Sequence, residues 1–385
     1  MIAVYGATGY TGKLVAQELR RRGLTAVLSG RNAAKLEAVK RDLGVDWPVR
    51  PAAVDEPAAL RAAFEGAAVV INCAGPFTFY GAPVIEAAIA AGAHYCDTTG
   101  EQPYMQRVFT WFDEPARAAG VAVVPGVGFD YVPGDLAASV AASRLEPLTE
   151  LVVAYALTGF GATRGTMHSA LEMMKGGDEE YVGGRWRRVG RPPLRETFDF
   201  GGSIGRRLVA RYPGGEVVTV PRHVKVDTVR ERITASTFAP HRLLASAVPA
   251  LTAFGVGPLM RTPLRGAIDG VIDRLPEGPS EDARRGSEYT IVAEARGTDG
   301  RVGRCTVVGN DVYGITAVMS VEIARRMQAD GFSGAGALAP AQAVDAEDFL
   351  GFLGEHGVSY RVESPARKGT RARAWGRAAL RAAAC

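Results

Sequence analysis

Three glycines spaced three apart, Gly6, Gly9 and Gly12, stand between a short apolar run and a stretch of helical periodicity. In Gly6-Ala7-Thr8-Gly9-Tyr10-Thr11-Gly12 they permit a tight turn and let backbone N–H groups approach a pyrophosphate. The helix start that follows adds unpaired N–H groups and the positive end of a dipole. This is chemistry for holding a dinucleotide. At the end of the next apolar run, where an acid would hold a ribose 2′-hydroxyl, the chain reads Ser29-Gly30-Arg31-Asn32. Arg31 suits a 2′-phosphate, with Ser29, Asn32 and Lys35 in support, so NADP(H) is favoured over NAD(H).

Other polar residues fall where such a fold gathers its ligands. Asp55 is placed to lie near the adenine, with capping of a helix as the equal alternative. Asn72-Cys73-Ala74-Gly75-Pro76-Phe77 combines small residues with a Gly-Pro turn, which lets backbone approach the nicotinamide side of the cofactor. Cys73 reads as a packing residue, since no activating base is evident. His94-Tyr95-Cys96-Asp97-Thr98-Thr99-Gly100-Glu101 and Gly126-Val127-Gly128-Phe129-Asp130-Tyr131 supply Asp97, Glu101, Asp130 and Tyr131 for substrate or nicotinamide. Each of these acids also has a structural reading. Asp97 suits a turn cap and Glu101 a helix start, as Asp135 suits the helix after Pro133.

The elements that must position these groups alternate. Strands are expected at Ile2–Tyr5, Ala26–Ser29, Val49–Val54, Ala68–Cys73, Tyr95–Thr98 and Val121–Val124. Helices are expected over Tyr10–Arg22, Ala33–Leu43, Ala58–Phe64, Pro83–Ala91 and Met105–Ala119. That alternation predicts an α/β Rossmann domain, a doubly wound parallel sheet, over residues 1–148. A second α+β domain is expected over 149–310. Leu151–Leu157, Val217–Val220, His223–Val226, Tyr289–Ala295 and Arg304–Val308 read as strands of a mostly antiparallel sheet. A helix over Ile315–Met327 opens a segment, 311–363, that returns to the first domain. It ends in a helix over Ala346–His356 and a strand over Val358–Val362.

The net charge of +4 is concentrated at the end of the chain. Between Ser364 and Cys385 stand Arg367, Lys368, Arg371, Arg373, Arg377 and Arg381 with no acid, so the remainder is slightly acidic. That argues against a nucleic-acid-binding body, and residues 364–385 read as a disordered tail. Cys73, Cys96, Cys305 and Cys385 form no C-x-x-C pair and no zinc spacing, so no metal is expected. Reduced thiols and a first strand opening at Ile2 point to a cytoplasmic protein without a targeting peptide. Leu243–Met260 carries no charge, but Pro249, Gly255, Gly257 and Pro258 break it. It reads as a pocket-covering helical segment ahead of one that contacts or spans a membrane.

Taken together, GATGYTG, SGR, NCAGPFTFYG, HYCDTTGE and GVGFDYVPGDL resemble the saccharopine dehydrogenase-like NADP-binding family. GATRGTMHSALEMM (Gly161–Met174), GPSEDARRGSEY (Gly278–Tyr289) and GALAPAQAV (Gly336–Val344) extend the resemblance over nearly the whole chain. The branch most resembled is the trans-acting enoyl reductases that serve polyketide synthases. The chain departs from the family pattern at Tyr131 and Gly134, where serines are common, at Thr163-Arg164-Gly165-Thr166, and at Gly336-Ala337-Leu338-Ala339-Pro340.

The resemblance implies NADPH-dependent transfer of hydride to a conjugated C=C of a small or carrier-bound acyl substrate. Tyr131 and Tyr80 are then candidates for hydrogen-bond donor and acid beside Asp130, and Arg164 and His168 for positioning substrate. Tyr80 also suits packing beside the Gly75–Pro76 turn, and His168 an ordinary polar place on a helix. No tyrosine is followed four residues later by lysine, which argues against the Tyr-x-x-x-Lys acid of short-chain dehydrogenases. Two alternatives stay open. One is imine or carbonyl reduction, with Arg164, Arg185, Arg187 and Arg188 as a carboxylate clamp. The other is a non-catalytic NADPH sensor. A homodimer built on the second sheet is a further expectation.

Overall fold

The computed structural model describes residues 1–176, 179–188, 195–237 and 264–367. Leu243–Met260 and the basic tail beyond Arg367 lie outside the described residues.

The first sheet is parallel and its centre is β1 (Ile2–Tyr5). On one side stand β2 (Ala26–Gly30) and β3 (Val49–Pro51). On the other stand β4 (Val69–Asn72), β5 (His94–Asp97) and β6 (Ala122–Val124). The order reverses between β1 and β4, where a doubly wound sheet opens its ligand crevice. Both β1 and β4 are buried throughout, which explains their unbroken apolar runs. Helices α1 (Tyr10–Arg21), α2 (Ala33–Leu43), α3 (Pro57–Phe64), α4 (Phe77–Ala90), α5 (Gln102–Trp111) and α6 (Asp113–Ala118) connect the strands.

Two helix expectations change. α4 starts six residues before Pro83 and carries that proline in its first turns. The helix expected over Met105–Ala119 is two, α5 and α6, broken at Phe112.

After α7 (Val132–Ala142) the chain builds a second, mixed sheet. Its long members are β7 (Leu148–Thr158), β12 (Thr228–Thr234), β13 (Glu288–Gly297) and β14 (Arg301–Asn310). Between β7 and β12 lie α8 (Arg164–Gly176), β8 (Glu179–Val182), β9 (Trp186–Arg188), β10 (Thr197–Asp199) and β11 (Arg206–Arg211). The described pairings are antiparallel except β7 with β12. α7 lies against β13 and β14, and one apolar core runs from β1 through α7 to Tyr289 and Ile291.

Val217–Val220 is not a strand. Glu216–Thr219 is a helical turn continued by a 3-10 turn, Val220–Arg222, and His223–Val226 contributes a single bridge from Val226 to Leu148.

The helix Val312–Met327 packs on α1, β4 and β5, and β15 (Gly336–Ala337) extends the first sheet beside β6. The last strand, β16 (Ser359–Arg367), does not return to the first sheet as expected. It pairs with β14 in the second. Among the described residues no helix is long and apolar enough to cross a membrane.

Candidate active site

The glycine turn is folded as its spacing demands. Gly6 has φ +76°, and its N–H and that of Ala7 donate to the Ser29 carbonyl at 3.0 and 3.2 Å. A Cβ at Gly6 would lie 2.9 Å from the Ala74 nitrogen, and one at Gly12 would overlap the Gly6 carbonyl. α1 begins with no side-chain cap and no acid in its first turn, so its leading N–H groups are available to an anion. Thr8 and Thr11 are half-buried beside the turn.

At the end of β2 the expected set divides. Arg31 and Lys35 are exposed. Ser29 is buried and donates to the Arg50 carbonyl at 2.8 Å, so its hydroxyl belongs to the sheet and not to a ligand. Asn32 caps α2, its Oδ1 accepting from the Lys35 N–H at 2.9 Å. Asp55 is exposed, and α3 takes Glu56 as its N-cap residue instead. The Tyr5 phenol, pushed up to about 12 by burial, feels both Arg31 and Asp55. The two charges therefore flank one spot beside the glycine turn. An uncapped helix start, a backbone cradle and a free guanidinium together fit an NADP(H) pyrophosphate and 2′-phosphate.

On the nicotinamide side, Asn72 shapes the loop. Its Oδ1 accepts from the Ala74 N–H and its Nδ2 donates to the Tyr95 hydroxyl, both at 2.9 Å. Burial pushes the Cys73 thiol up to about 12, which leaves it inert as a nucleophile. Gly75 and Pro76 lead into α4, whose first N–H groups, at Phe77 and Thr78, donate to the two oxygens of Glu101 at 2.8 Å each. Ser169 on α8 donates to Glu101 Oε1 at 2.7 Å. Glu101 is thus a fully buried cap joining the domains, not a substrate ligand.

Asp97 is corrected in the same way. It is fully buried and accepts four hydrogen bonds: from the N–H groups of Thr99 and Gly126 and from the hydroxyls of Tyr95 and Tyr104, at 2.8–3.1 Å. Desolvation raises its carboxyl to about 6 even so. Its oxygens organise the ends of β5 and β6 and have no capacity left for a substrate.

Of four other expected residues, three are engaged elsewhere and Tyr80 is exposed. Tyr131 is fully buried, and its hydroxyl donates to the Gly100 carbonyl at 2.5 Å. Tyr80 is 41% exposed on the outside of α4. His168 lies between Asp269 and Asp273, each 3.0 Å from a ring nitrogen, and Arg164 Nη1 donates to the Asp273 carbonyl at 3.0 Å. Both residues clamp α8 to the helix Leu264–Ile272.

Asp130 remains. The loop that carries it is held at every step. Phe129 N–H donates to Thr316 Oγ1 at 2.9 Å, Ser320 Oγ to the Val127 carbonyl at 2.9 Å, and the Tyr155 hydroxyl to the Asp130 carbonyl at 2.8 Å. The Asp130 carboxyl itself is bonded by no described residue. It is exposed to solvent, with its Oδ2 3.3 Å from where a Cβ at Gly100 would stand. The surrounding protein limits its hydration and pushes it up to about 6. Asp135 is spent, taking His223 Nε2 and the Ala341 N–H at 2.8 Å each.

Two relationships were not foreseen from the sequence. The GPSED stretch covers the glycine turn: Tyr10 donates to the Pro279 carbonyl at 2.8 Å, packs edge-on to Tyr313, and abuts Gly278. The Tyr313 hydroxyl in turn accepts from the Thr163 N–H at 3.0 Å. Behind the Asp130 loop, Tyr155 meets the buried acids Glu216 and Glu231. No local pattern signalled either, because the partners stand in helices, strands and a loop far apart in the chain. A cavity of about 520 Å³ between α1 and the helix Val312–Met327 includes none of these strand-end residues.

Comparison with known proteins agrees with this geometry. The saccharopine dehydrogenase NADP binding domain matches residues 2–124. Trans-acting enoyl reductases of Mycobacterium tuberculosis and Mycobacterium bovis are each 28% identical over 362 residues, 83% of this chain and 86% of theirs. One from Mycobacterium ulcerans is 37% identical over 140 residues, 35% of this chain and 34% of its own. A saccharopine dehydrogenase (L-Glu forming) of Saccharomyces cerevisiae shares the fold at TM-score 0.58, with 13% identity over 94% of this chain and 99% of that one. Residues 2–124 accordingly match the saccharopine dehydrogenase NADP binding domain, and the chain is an NADP-dependent oxidoreductase.

Proposed function

We propose that this oxidoreductase reduces the conjugated C=C of an enoyl thioester, small or carrier-borne, with Asp130 as the proton donor. The observation that carries the reading is the state of Asp130. Among the strand-end acids Asp97, Glu101, Asp130 and Asp135, it is the one whose carboxyl no described residue consumes. NADPH, when bound, supplies the hydride that adds to the carbon β to the carbonyl. Charge then builds on the carbonyl oxygen and the α-carbon requires a proton. A carboxyl near 6 is protonated in a useful fraction of molecules at neutral pH and can give that proton up. Glu101 and Asn72 hold the loop against the nicotinamide side, and Arg31 selects the phosphorylated cofactor. The trans-acting enoyl reductases of the mycobacteria support the enoyl assignment by name. The free thiols of Cys73, Cys96 and Cys305 suit a cytoplasmic setting.

The test is NADPH consumption with three substrate classes: α,β-unsaturated thioesters, keto acid with amine, and simple ketones. Turnover confined to the first is expected, with Asp130→Asn lowering kcat about 10²–10⁴-fold while NADPH affinity holds. Turnover confined to the imine class would overturn the reading.

A further inference from the structure

The Tyr155 hydroxyl meets two acceptors. One is the Asp130 carbonyl at 2.8 Å and the other is Glu216 Oε1. A carbonyl can only accept, and so can a carboxylate. A phenol has one proton, which cannot lie along both directions. Both contacts are hydrogen bonds only if Glu216 carries a proton on Oε1, gives it to the Tyr155 oxygen, and so frees the phenol proton for Asp130.

The surroundings require the same state. Glu216 and Glu231 are both fully buried and face each other. Among the described residues the Glu216 backbone N–H is the donor beside the Glu231 carboxyl, and apart from Glu231 no side chain reaches Glu216 Oε2. Two facing carboxyls attract only with a proton between them. Adjacent strand residues point to opposite faces, so Arg232 is directed away from Glu231. Arg232 and Arg211 are engaged by Glu180 on that other face. The groups facing Glu216 are Glu231 on β12, Tyr155 on β7, and Asp130, Tyr131 and Asp135 at the start of α7. Tyr212 follows β11 nearby. None is a cation. The pocket is also shaped for the pair: a Cβ at Gly134 would overlap Glu216 Oε1, and one at Gly214 would overlap the Glu231 carboxyl.

We infer that Glu216, as a neutral acid, is a positioning residue: it directs the Tyr155 hydroxyl onto the Asp130 carbonyl and so fixes the proton-donating loop. The inference rests on the proposed role of Asp130 for its effect on turnover. When Glu216 ionises, the Tyr155 proton turns to the new carboxylate and the Asp130 carbonyl loses its donor. Burial, with Asp135 nearby, pushes Glu216 up to about 8, and burial beside Glu216 holds Glu231 well above the usual carboxylate range. The pair therefore keeps its protons at neutral pH and the hold on the loop weakens in mild alkali.

The test compares wild type with Glu216→Gln, whose amide N–H can donate to Tyr155 at any pH. Infrared spectra of the intact protein at pH 7 should show a protonated-carboxyl band that loses intensity in E216Q. An identical band in both would overturn the inference, whether or not any enoyl thioester is turned over. In the kinetic arm, loss of the Asp130 proton lowers kcat in both proteins above about pH 6, and on the best thioester the wild type should lose about tenfold more than E216Q between pH 7 and pH 9. The KM for NADPH should not move. A ratio of wild-type to E216Q kcat that stays constant from pH 7 to pH 9 would also overturn it. If E216Q does not fold, Tyr155→Phe removes the acceptor of the Glu216 proton. It should shift the carboxyl band, and an unshifted band would be the adverse result.

Discussion

The Ser169 hydroxyl donates to Glu101 Oε1 at 2.7 Å, so the carboxylate that caps α4 in the first domain is also the anchor for α8 of the second. Both ends of this contact lie against the Gly75–Phe77 loop, since a Cβ at Gly75 would sit 3.3 Å from the Phe77 ring and 3.7 Å from Ser169 Oγ. One carboxylate therefore both orders the nicotinamide wall and fixes α8 against it.

Glu101→Ala should cost about 2–4 kcal/mol of stability, because it strands two N–H groups at a shielded helix start. Ser169→Ala should cost about 1 kcal/mol. Thermal melts of the single and double variants check this, and the double variant should lose less than the sum. If Glu101→Ala kept the wild-type Tm and lost kcat alone, Glu101 would have to be a substrate ligand after all.

Arg31→Ala should weaken NADPH about 10–100-fold, the loss of a charge-assisted contact to a phosphate, and leave NADH almost unchanged. Arg31 is exposed at the end of β2, so the fold should not suffer. Fluorescence titration with both cofactors measures the ratio. Equal weakening of the two would mean that Arg31 does not read the 2′-phosphate.

The legible part of the molecule was the part whose chemistry is local in sequence. The glycine turn and Arg31 belong to single short segments, and β1 and β4 show their burial as unbroken apolar runs. The roles of Asp97 and Glu101 were not legible, because a ligand-binding acid and a capping acid occupy the same strand ends. Their partners, Tyr104, Gly126 and Ser169, are supplied by other segments. β12 was invisible for a related reason. The charged run Arg230, Glu231 and Arg232 lacks the apolar pattern of a strand, but Glu150 and Glu180 pair with the arginines and Glu231 is buried next to Glu216. The opposite error occurred at Val217–Val220, where a four-residue apolar run fitted strand and helical turn alike.

Tyr131→Phe separates a structural phenol from a catalytic one. The hydroxyl is fully buried on the Gly100 carbonyl, so its removal should cost about 1 kcal/mol of stability and less than tenfold in kcat. Tyr80→Phe, on the surface of α4, should alter neither. A loss beyond a hundredfold in either variant, with the fold intact by circular dichroism, would move proton donation from Asp130 to that tyrosine.

Glu322 gives the acid limb of stability. It is almost wholly buried on the helix Val312–Met327, and burial alone would raise its carboxyl. The bonds from Arg325, Arg326 and Arg22 prevail and hold it at about 2, against an ordinary 4.5. Arg22 follows α1, so the cluster ties the returning helix to the cofactor helix. A folded-state carboxyl held below its unfolded value stabilises the protein fully above the unfolded pKa. That stabilisation is lost as pH falls from about 4.5 to about 2. The amount at neutral pH is on the order of 3 kcal/mol. Glu322→Gln should therefore melt lower at pH 7 and converge on wild type near pH 2, as chemical denaturation across that range would show. Curves that stayed parallel from pH 7 to pH 2 would mean that the arginines stabilise Glu322 no better than water does.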